Sequence, residues 1–184
     1  MAFDENDLRR RMNGAINSLK DEFIGLRTGR ASTALLDTLK VDAYGSKMPI
    51  NQVASLSTPE ARLILIQVWD QSMVTGIEKS IRESDLGLNP QTEGSAIRIH
   101  IPELSEERRI ELVKVAGKYS EQAKISIRNV RRDIIENIRK LEKDSSISED
   151  EKRDSENKIQ NITDEFVKEI DNMLAQKEQD IKGV

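Results

Sequence analysis

The sequence contains no cysteine, one histidine and few aromatic residues, which make up 3% of its 184 positions. Without cysteine the chain forms neither disulfides nor thiolate metal sites, and a cysteine nucleophile is excluded. No apolar run approaches the roughly 18 residues of a membrane span, and the first residues lack the apolar core of a signal peptide. We therefore expect a soluble, cytoplasmic protein that makes no membrane contact.

Groups that could carry catalysis are also scarce. His100 stands alone in a strand-like pattern, and residues 149–151 are typical of an acidic first helical turn rather than a metal site. Residues 25–30 lack the preceding strand and the following lysine of a phosphate-binding loop. The single Trp69 and the two tyrosines are too few and too scattered for a base-stacking platform. We expect no enzymatic activity, no catalytic residue, no metal and no cofactor.

Charge and helical periodicity are what the sequence has in abundance. Charged residues make up 34% of the chain and apolar residues 36%, a balance that favours long, surface-rich helices. The net charge of −4 is unevenly distributed: residues 105–143 hold 11 basic and 7 acidic side chains, whereas residues 144–184 hold 6 and 12. One basic helix thus stands in an acidic protein, and any contact with a polyanion must be placed on that helix.

Residues 105–143 predict one uninterrupted helix that Ser105 caps, and the residues after the cap span about 57 Å at 1.5 Å per residue. Small or apolar side chains recur every seven positions and form a seam. Its members are Val113, Ser120, Ile127, Ile134 and Leu141, with a second row at Ala116, Ala123 and Val130. A stripe with a single acidic member, Glu121, lies beside the seam, and Arg131 is its member closest to the seam. The cations of this stripe are Lys114, Lys124, Arg128, Arg131, Arg132 and Arg139.

Two further helices flank the chain. Asp4 is placed to cap a helix with an apolar stripe from Leu8 to Leu26, which should end at Gly29. Ser148 opens a capping box, and the helix that follows should end near Gly183. Since none of the three helices can bury its stripe alone, they should pack as an elongated three-helix bundle formed by residues 1–30 and 105–184.

The sequence pattern of residues 31–104 differs from that of the flanking helices and predicts a small inserted β/α/β domain. Strands are expected at residues 39–44, 62–69 and 96–101, with the second one central, and a helix at residues 74–84. Turns are expected at residues 57–59 and 86–90. The fold class is therefore α+β. The chain crosses between the domains twice, at Gly29, Arg30 and Ala31 and again at Leu104 and Ser105, so we expect a hinge there.

Four separated motifs resemble those of a known protein family. They are RTGRAS at residues 27–32, DLGLNP at 85–90, LSEERR at 104–109 and RNVRRD at 128–133. With these motifs in this order, the sequence resembles the bacterial ribosome recycling factors over essentially its whole length. The resemblance implies an L-shaped molecule with a hinge between the bundle and the inserted domain.

The resemblance also implies a function. It is ribosome recycling, in which the factor binds the large subunit of the post-termination ribosome and, with elongation factor G and GTP, splits the ribosome into subunits, releasing mRNA and tRNA. Arg128, Arg131 and Arg132 match the family's cluster that contacts ribosomal RNA, and Arg27 and Arg30 match arginines near the hinge. Arg27 and Arg30, together with Lys124 of the same basic stripe, complete the set of residues that we expect to bind ribosomal RNA. We also expect a monomer.

The residues alone are also compatible with two other functions. The basic stripe also fits a coiled-coil interaction or scaffold protein that binds an acidic partner helix. Co-sedimentation with isolated large ribosomal subunits separates this reading from the first, because a scaffold would not follow them. An RNA hydrolase or chaperone is a further alternative, which the lack of catalytic groups disfavours and which an RNA-turnover assay would test.

Overall fold

The computed structural model describes residues 2–26 and 28–183. Backbone contacts divide them into two compact units, the first made of residues 2–26 and 107–182 and the second of residues 28–106. The fold is α+β. The helices are α1 (Glu5–Gly25), α2 (Val74–Glu83), α3 (Glu106–Lys143) and α4 (Glu149–Lys182), and the strands are β1 (Lys40–Ala43), β2 (Ser46–Pro49), β3 (Ala54–Glu60), β4 (Leu63–Val68), β5 (Pro90–Glu93) and β6 (Ala96–His100). Within these described residues, no helix combines the length and hydropathy that crossing a bilayer requires.

Helix α1 begins where the sequence predicts and ends earlier. The Asp4 carboxylate accepts hydrogen bonds from the backbone N–H groups of Asn6 (2.9 Å) and Asp7 (3.2 Å), so the predicted N-cap is confirmed. The predicted end at Gly29 is wrong, because Leu26 already has extended backbone angles (φ −80°, ψ 112°). The buried stripe of α1 stops at Phe23, and without further burial the helix is not sustained.

Ion pairs between α1 and α4 show the relative direction of the two helices. Glu5 of α1 accepts from Lys158 of α4 at 2.7 Å, and one turn later Arg9 donates to Glu165 at 3.1 Å. Residue numbers rise together along both helices, so α1 and α4 run parallel. The hydrogen bonds from Lys158 and Arg9 also hold the pKa of the Glu5 carboxyl below its ordinary value of 4.5.

The core of α3 follows the predicted seven-residue row at its centre and departs from it at both ends, and Val130 of the second row is only half-buried. Val113 is only half-buried, and Leu141 is 36% exposed. A strict seven-residue row drifts by about 20° per repeat on a straight α-helix, so the two ends of the row rotate away from the packed side. The buried residues of α3 are Leu112, Ala116, Ser120, Ala123, Ile127, Ile134, Ile135 and Ile138.

Helix α4 starts with the predicted capping box. The backbone N–H of Glu151 donates to Ser148 Oγ at 3.1 Å, and the backbone N–H of Ser148 donates to Glu151 Oε2 at 3.0 Å. The Ser148 backbone N–H and the Ser148 hydroxyl both donate to Glu151 Oε2 and lower the pKa of the Glu151 carboxyl. Gly183 directly follows α4 with φ +72°, the left-handed conformation that commonly ends a helix. Both predicted ends of this helix are confirmed.

The second unit contains an antiparallel four-stranded sheet in the order β3-β4-β6-β5, a separate β1-β2 hairpin and α2. The apolar strand β4 lies between β3 and β6, so its predicted central position is confirmed. The predicted helix matches α2. Burial on one side of the sheet and of α2 gives this unit a core of its own, whose fully buried side chains include Leu36, Val41, Ile50, Ile64, Ile66, Ile77, Ile81, Ile97 and Ile99.

The predicted turn at residues 57–59 is wrong. These residues belong to β3, and the pairing with β4 shifts register between Ser57 and Glu60. Pro59 is tolerated because β3 is an edge strand and the irregularity removes the need for its missing N–H. Strands β2 and β5 were not predicted, since they are short and polar and carry no apolar alternation.

Candidate nucleic-acid interface

The arginine cluster, defined as Arg128, Arg131 and Arg132, lies within a little more than one turn of α3. Positions three and four apart on a helix are neighbours on one face, so the three guanidinium groups share one region of the surface. Arg128 and Arg132 are exposed, and Arg131 is half-buried. The structure therefore brings together the three arginines that the sequence analysis selected.

Arg131 differs from its two neighbours in how it is held. Its Nε is buried and has no hydrogen-bond partner among the described residues. A side chain with a packed stem and a partly exposed head has lost much of its freedom before any partner arrives. The guanidinium of Arg131 is therefore the most preorganised of the cluster, as its place beside the seam predicts.

Arg128 and Arg132 have weak local partners. Arg128 donates to Glu121 at 3.1 Å, with both side chains more than half exposed, and Arg132 donates to the side-chain oxygen of Asn129 at 3.0 Å. Exposed pairs of this kind contribute about 0–1 kcal/mol, since water competes for both partners. A phosphate group can replace such partners at little cost.

Lys124 does not belong to the open part of this surface. It forms an ion pair with Asp171 of α4, and its side chain is only 19% exposed. Arg139, further along the same stripe, donates to Glu156 of α4 at 3.1 Å. The stripe holds one acidic residue along α3 itself, but α4 runs antiparallel beside it and supplies two more carboxylates. Sequence spacing alone gave no sign of these partners, because they lie on another helix.

The predicted hinge residues fall in two segments that meet at Gly29 and Leu104. Gly29 has φ +69°, and a Cβ added there would stand 3.0 Å from Leu104 Cγ. Ala31 is buried, and its N–H donates to the carbonyl of Ala61 at 2.7 Å. Arg30 and Ser105 are exposed. Arg27, also selected from the sequence, lies outside the described residues.

Across residues 2–26 and 28–183, no group of three or more histidine, aspartate or glutamate side chains is arranged to hold a metal ion. The lone His100 is exposed on β6.

Comparison with known proteins decides the family. The family model described as "Ribosome recycling factor" matches residues 19–181. The ribosome-recycling factor of Methylobacterium radiotolerans is 57% identical over 182 residues, which cover 99% of this chain and 97% of the relative. The chain belongs to the ribosome recycling factor family. The ribosome-recycling factor of Brucella melitensis biotype 1 is 55% identical over 183 residues, covering 100% of this chain and 98% of that protein.

Solved structures of ribosome recycling factors share the fold. A solution structure of the ribosome recycling factor matches with a TM-score of 0.76 at 46% identity, covering 97% of this chain and 95% of that one. A second match, with a TM-score of 0.67 at 45% identity, covers 96% and 95% of the two chains. Its description places the T. thermophilus ribosome recycling factor, together with the E. coli elongation factor G, on the E. coli post-termination complex.

Proposed function

We propose that this chain recycles ribosomes after termination. It binds the large subunit of the post-termination ribosome and, with elongation factor G and GTP, splits the ribosome into subunits, so that mRNA and tRNA are released. It acts as a monomeric, cytoplasmic translation factor rather than as an enzyme. Membership in the ribosome recycling factor family supports this role, and so does the relative found with elongation factor G on a post-termination complex.

The observation that carries the proposal is the arginine cluster on α3. Guanidinium groups bind phosphate oxygens through two parallel hydrogen bonds, so arginines one turn apart can follow an RNA backbone. A-form RNA has a deep, narrow major groove and is recognised largely by its shape and its phosphates. The cluster therefore suits the backbone of structured ribosomal RNA, and we assign its three arginines to that contact.

The charge distribution supports the same placement. Residues 144–184 hold 12 acidic and 6 basic side chains and would repel RNA, whereas residues 105–143 have an excess of basic residues. An RNA surface should therefore be approached by the exposed side of α3. Lys124 contributes less than the arginines, because its ammonium is already paired with Asp171.

The second step of the proposal is motion of the second unit. Residues 28–106 have their own hydrophobic core and connect to the bundle through two segments that meet at Gly29 and Leu104. Two adjacent linkers can act as a hinge that absorbs a rotation with little change elsewhere in the backbone. We infer that elongation factor G pushes this unit while the arginine cluster remains on the large subunit.

Salt dependence of binding tests the RNA contact. Three to four phosphate contacts release condensed counterions, so the logarithm of affinity for isolated large subunits should fall with the logarithm of salt concentration at a slope of about −3. The measurement is a series of co-sedimentation titrations between low and physiological salt. A flat profile would remove the arginine–phosphate contact from the account.

A further inference from the structure

Two aromatic side chains of the second unit are exposed. Tyr44 is 66% exposed and Trp69 is 63% exposed, and no other large apolar side chain among residues 28–106 reaches a comparable exposure. Trp69 is the only tryptophan in the chain. Neither ring contributes much to the core of this unit, so both present aromatic surface that a partner could contact.

Hydrogen bonds hold both rings in place, Tyr44 directly on the Asp70 carboxylate and Trp69, the chain neighbour of Asp70, on Ser55. Tyr44 Oη donates to Asp70 Oδ2 at 2.9 Å, which ties the tip of the β1-β2 hairpin to the segment after β4. Trp69, the neighbour of Asp70 in the chain, donates from Nε1 to Ser55 Oγ of β3 at 2.9 Å. Residues that are 25 positions apart in the sequence thus form one aromatic patch, defined as Tyr44, Trp69 and Asp70.

The backbone at Tyr44 is strained. Tyr44 has φ 52° and the following Gly45 has φ 77°, the left-handed angles of a tight hairpin turn in which asparagine, aspartate or glycine normally occupies the first position. A bulky side chain in this region costs conformational energy. The bond to Asp70 offsets part of that cost, and the result is a fixed aromatic ring at the surface.

Asp70, bonded to Tyr44 and adjacent to Trp69 in the chain, supplies a negative charge to the aromatic patch. Its Oδ1 accepts from the Ser72 hydroxyl at 2.7 Å and the Ser72 backbone N–H at 3.0 Å, and these bonds, with that from Tyr44, lower the pKa of the carboxyl. Among residues 2–26 and 28–183, no lysine or arginine forms an ion pair with Asp70. On the neighbouring hairpin, Asp42 is opposite Lys47, so their charges balance.

We propose that the aromatic patch is a docking surface for a protein partner that presents lysine or arginine side chains. A cation is attracted both to the faces of tyrosine and tryptophan rings and to the Asp70 carboxylate. Rings that are already fixed lose little freedom on binding, and tryptophan and tyrosine are enriched among the residues that dominate protein interfaces. Residues 31–104 hold nine acidic and six basic side chains, which disfavours RNA here and favours a cationic protein surface.

The inference rests on the proposed function in one respect: the partner is expected in the recycling complex. The test is photo-crosslinking with Trp69→p-benzoylphenylalanine in post-termination ribosomes that hold elongation factor G and a non-hydrolysable GTP analogue. We expect a nuclease-resistant adduct to a protein, with a lysine or arginine in the adducted segment. The same substitution at Glu83, an exposed carboxylate of α2, should give only background.

A companion variant, Arg132→p-benzoylphenylalanine, separates this inference from the proposed function. It should crosslink ribosomal RNA if α3 binds as proposed, and failure there counts against the RNA face alone. At position 69, an RNA adduct, the absence of a protein adduct or an adduct to a segment without basic residues would each overturn the docking surface, whatever happens at position 132.

Removing the charge of Asp70 gives a second readout. Asp70→Asn keeps a side chain that can cap the following turn and should slow subunit splitting about threefold to tenfold while affinity for isolated large subunits is unchanged. Glu83→Gln is the matched control and should leave both quantities unchanged. Equal splitting rates for Asp70→Asn and the unaltered protein would contradict a role for the carboxylate.

Discussion

Arg131→Ala is expected to weaken binding to isolated large ribosomal subunits by about 5- to 150-fold, which corresponds to about 1–3 kcal/mol. The physical reason is preorganisation: the stem of Arg131 is packed and its Nε buried, so its guanidinium is positioned before RNA binds. Arg128 and Arg132 must instead leave Glu121 and Asn129. Co-sedimentation at physiological salt measures the change.

The fold should survive this substitution. The buried Nε of Arg131 has no partner among the described residues, so its removal breaks no hydrogen bond there. The loss is confined to the packing of one half-buried side chain. Circular dichroism should show an unchanged helical signal. Arg153→Ala, which removes an exposed arginine from α4, is the matched control and should bind as the unaltered protein does. If Arg131→Ala binds large subunits as tightly as the control, Arg131 has no role in RNA contact.

A disulfide across the two linkers should leave large-subunit binding intact and abolish splitting. The chain has no cysteine, so a pair introduced at Gly29 and Leu104 is the only one that can form. A Cβ at Gly29 would stand 3.0 Å from Leu104 Cγ and 3.6 Å from the Leu104 backbone nitrogen, which suits the separation of about 3.5–4.5 Å between the Cβ atoms of a disulfide. The crosslink would fix the segment that we propose as the hinge.

Comparison of the oxidised and reduced forms isolates the effect of the crosslink. Gly29→Cys alone introduces strain at φ +69°, so the reduced double variant carries the same strain without the bond. Reduction should restore splitting. Undiminished splitting by the oxidised form, with disulfide formation verified by mass spectrometry, would show that this joint need not move.

The sequence predicted those elements whose pattern is both long and local. The apolar stripes of the three long helices, the Asp4 cap, the Ser148 capping box and the apolar strand β4 are all encoded within one segment each. The edge strand β3 was missed because Pro59 is typical of a turn, and only its place at the edge of the sheet explains why a strand tolerates it. The early end of α1 depends on where burial stops, which the residues near Gly29 do not reveal.

The candidate site was predictable to the extent that it lies on one helix. Arg128, Arg131 and Arg132 lie near one another on α3 because positions three and four apart on a helix are neighbours, so their proximity could be predicted from their spacing alone. The pairing of Lys124 with Asp171 could not be predicted, because it depends on how α4 packs against α3. The aromatic patch was missed for the same reason, since Tyr44 and Trp69 appear scattered until the hairpin meets the end of β4.

Loss of light scattering is the most direct measurement of the central claim that this chain splits post-termination ribosomes. Purified protein, elongation factor G and GTP are added to post-termination ribosomes, and dissociation into subunits lowers the scattered intensity. We predict a rapid decrease that requires all three additions and that Arg131→Ala slows. Constant scattering with every component present, under conditions in which a known ribosome recycling factor lowers it, would contradict the account.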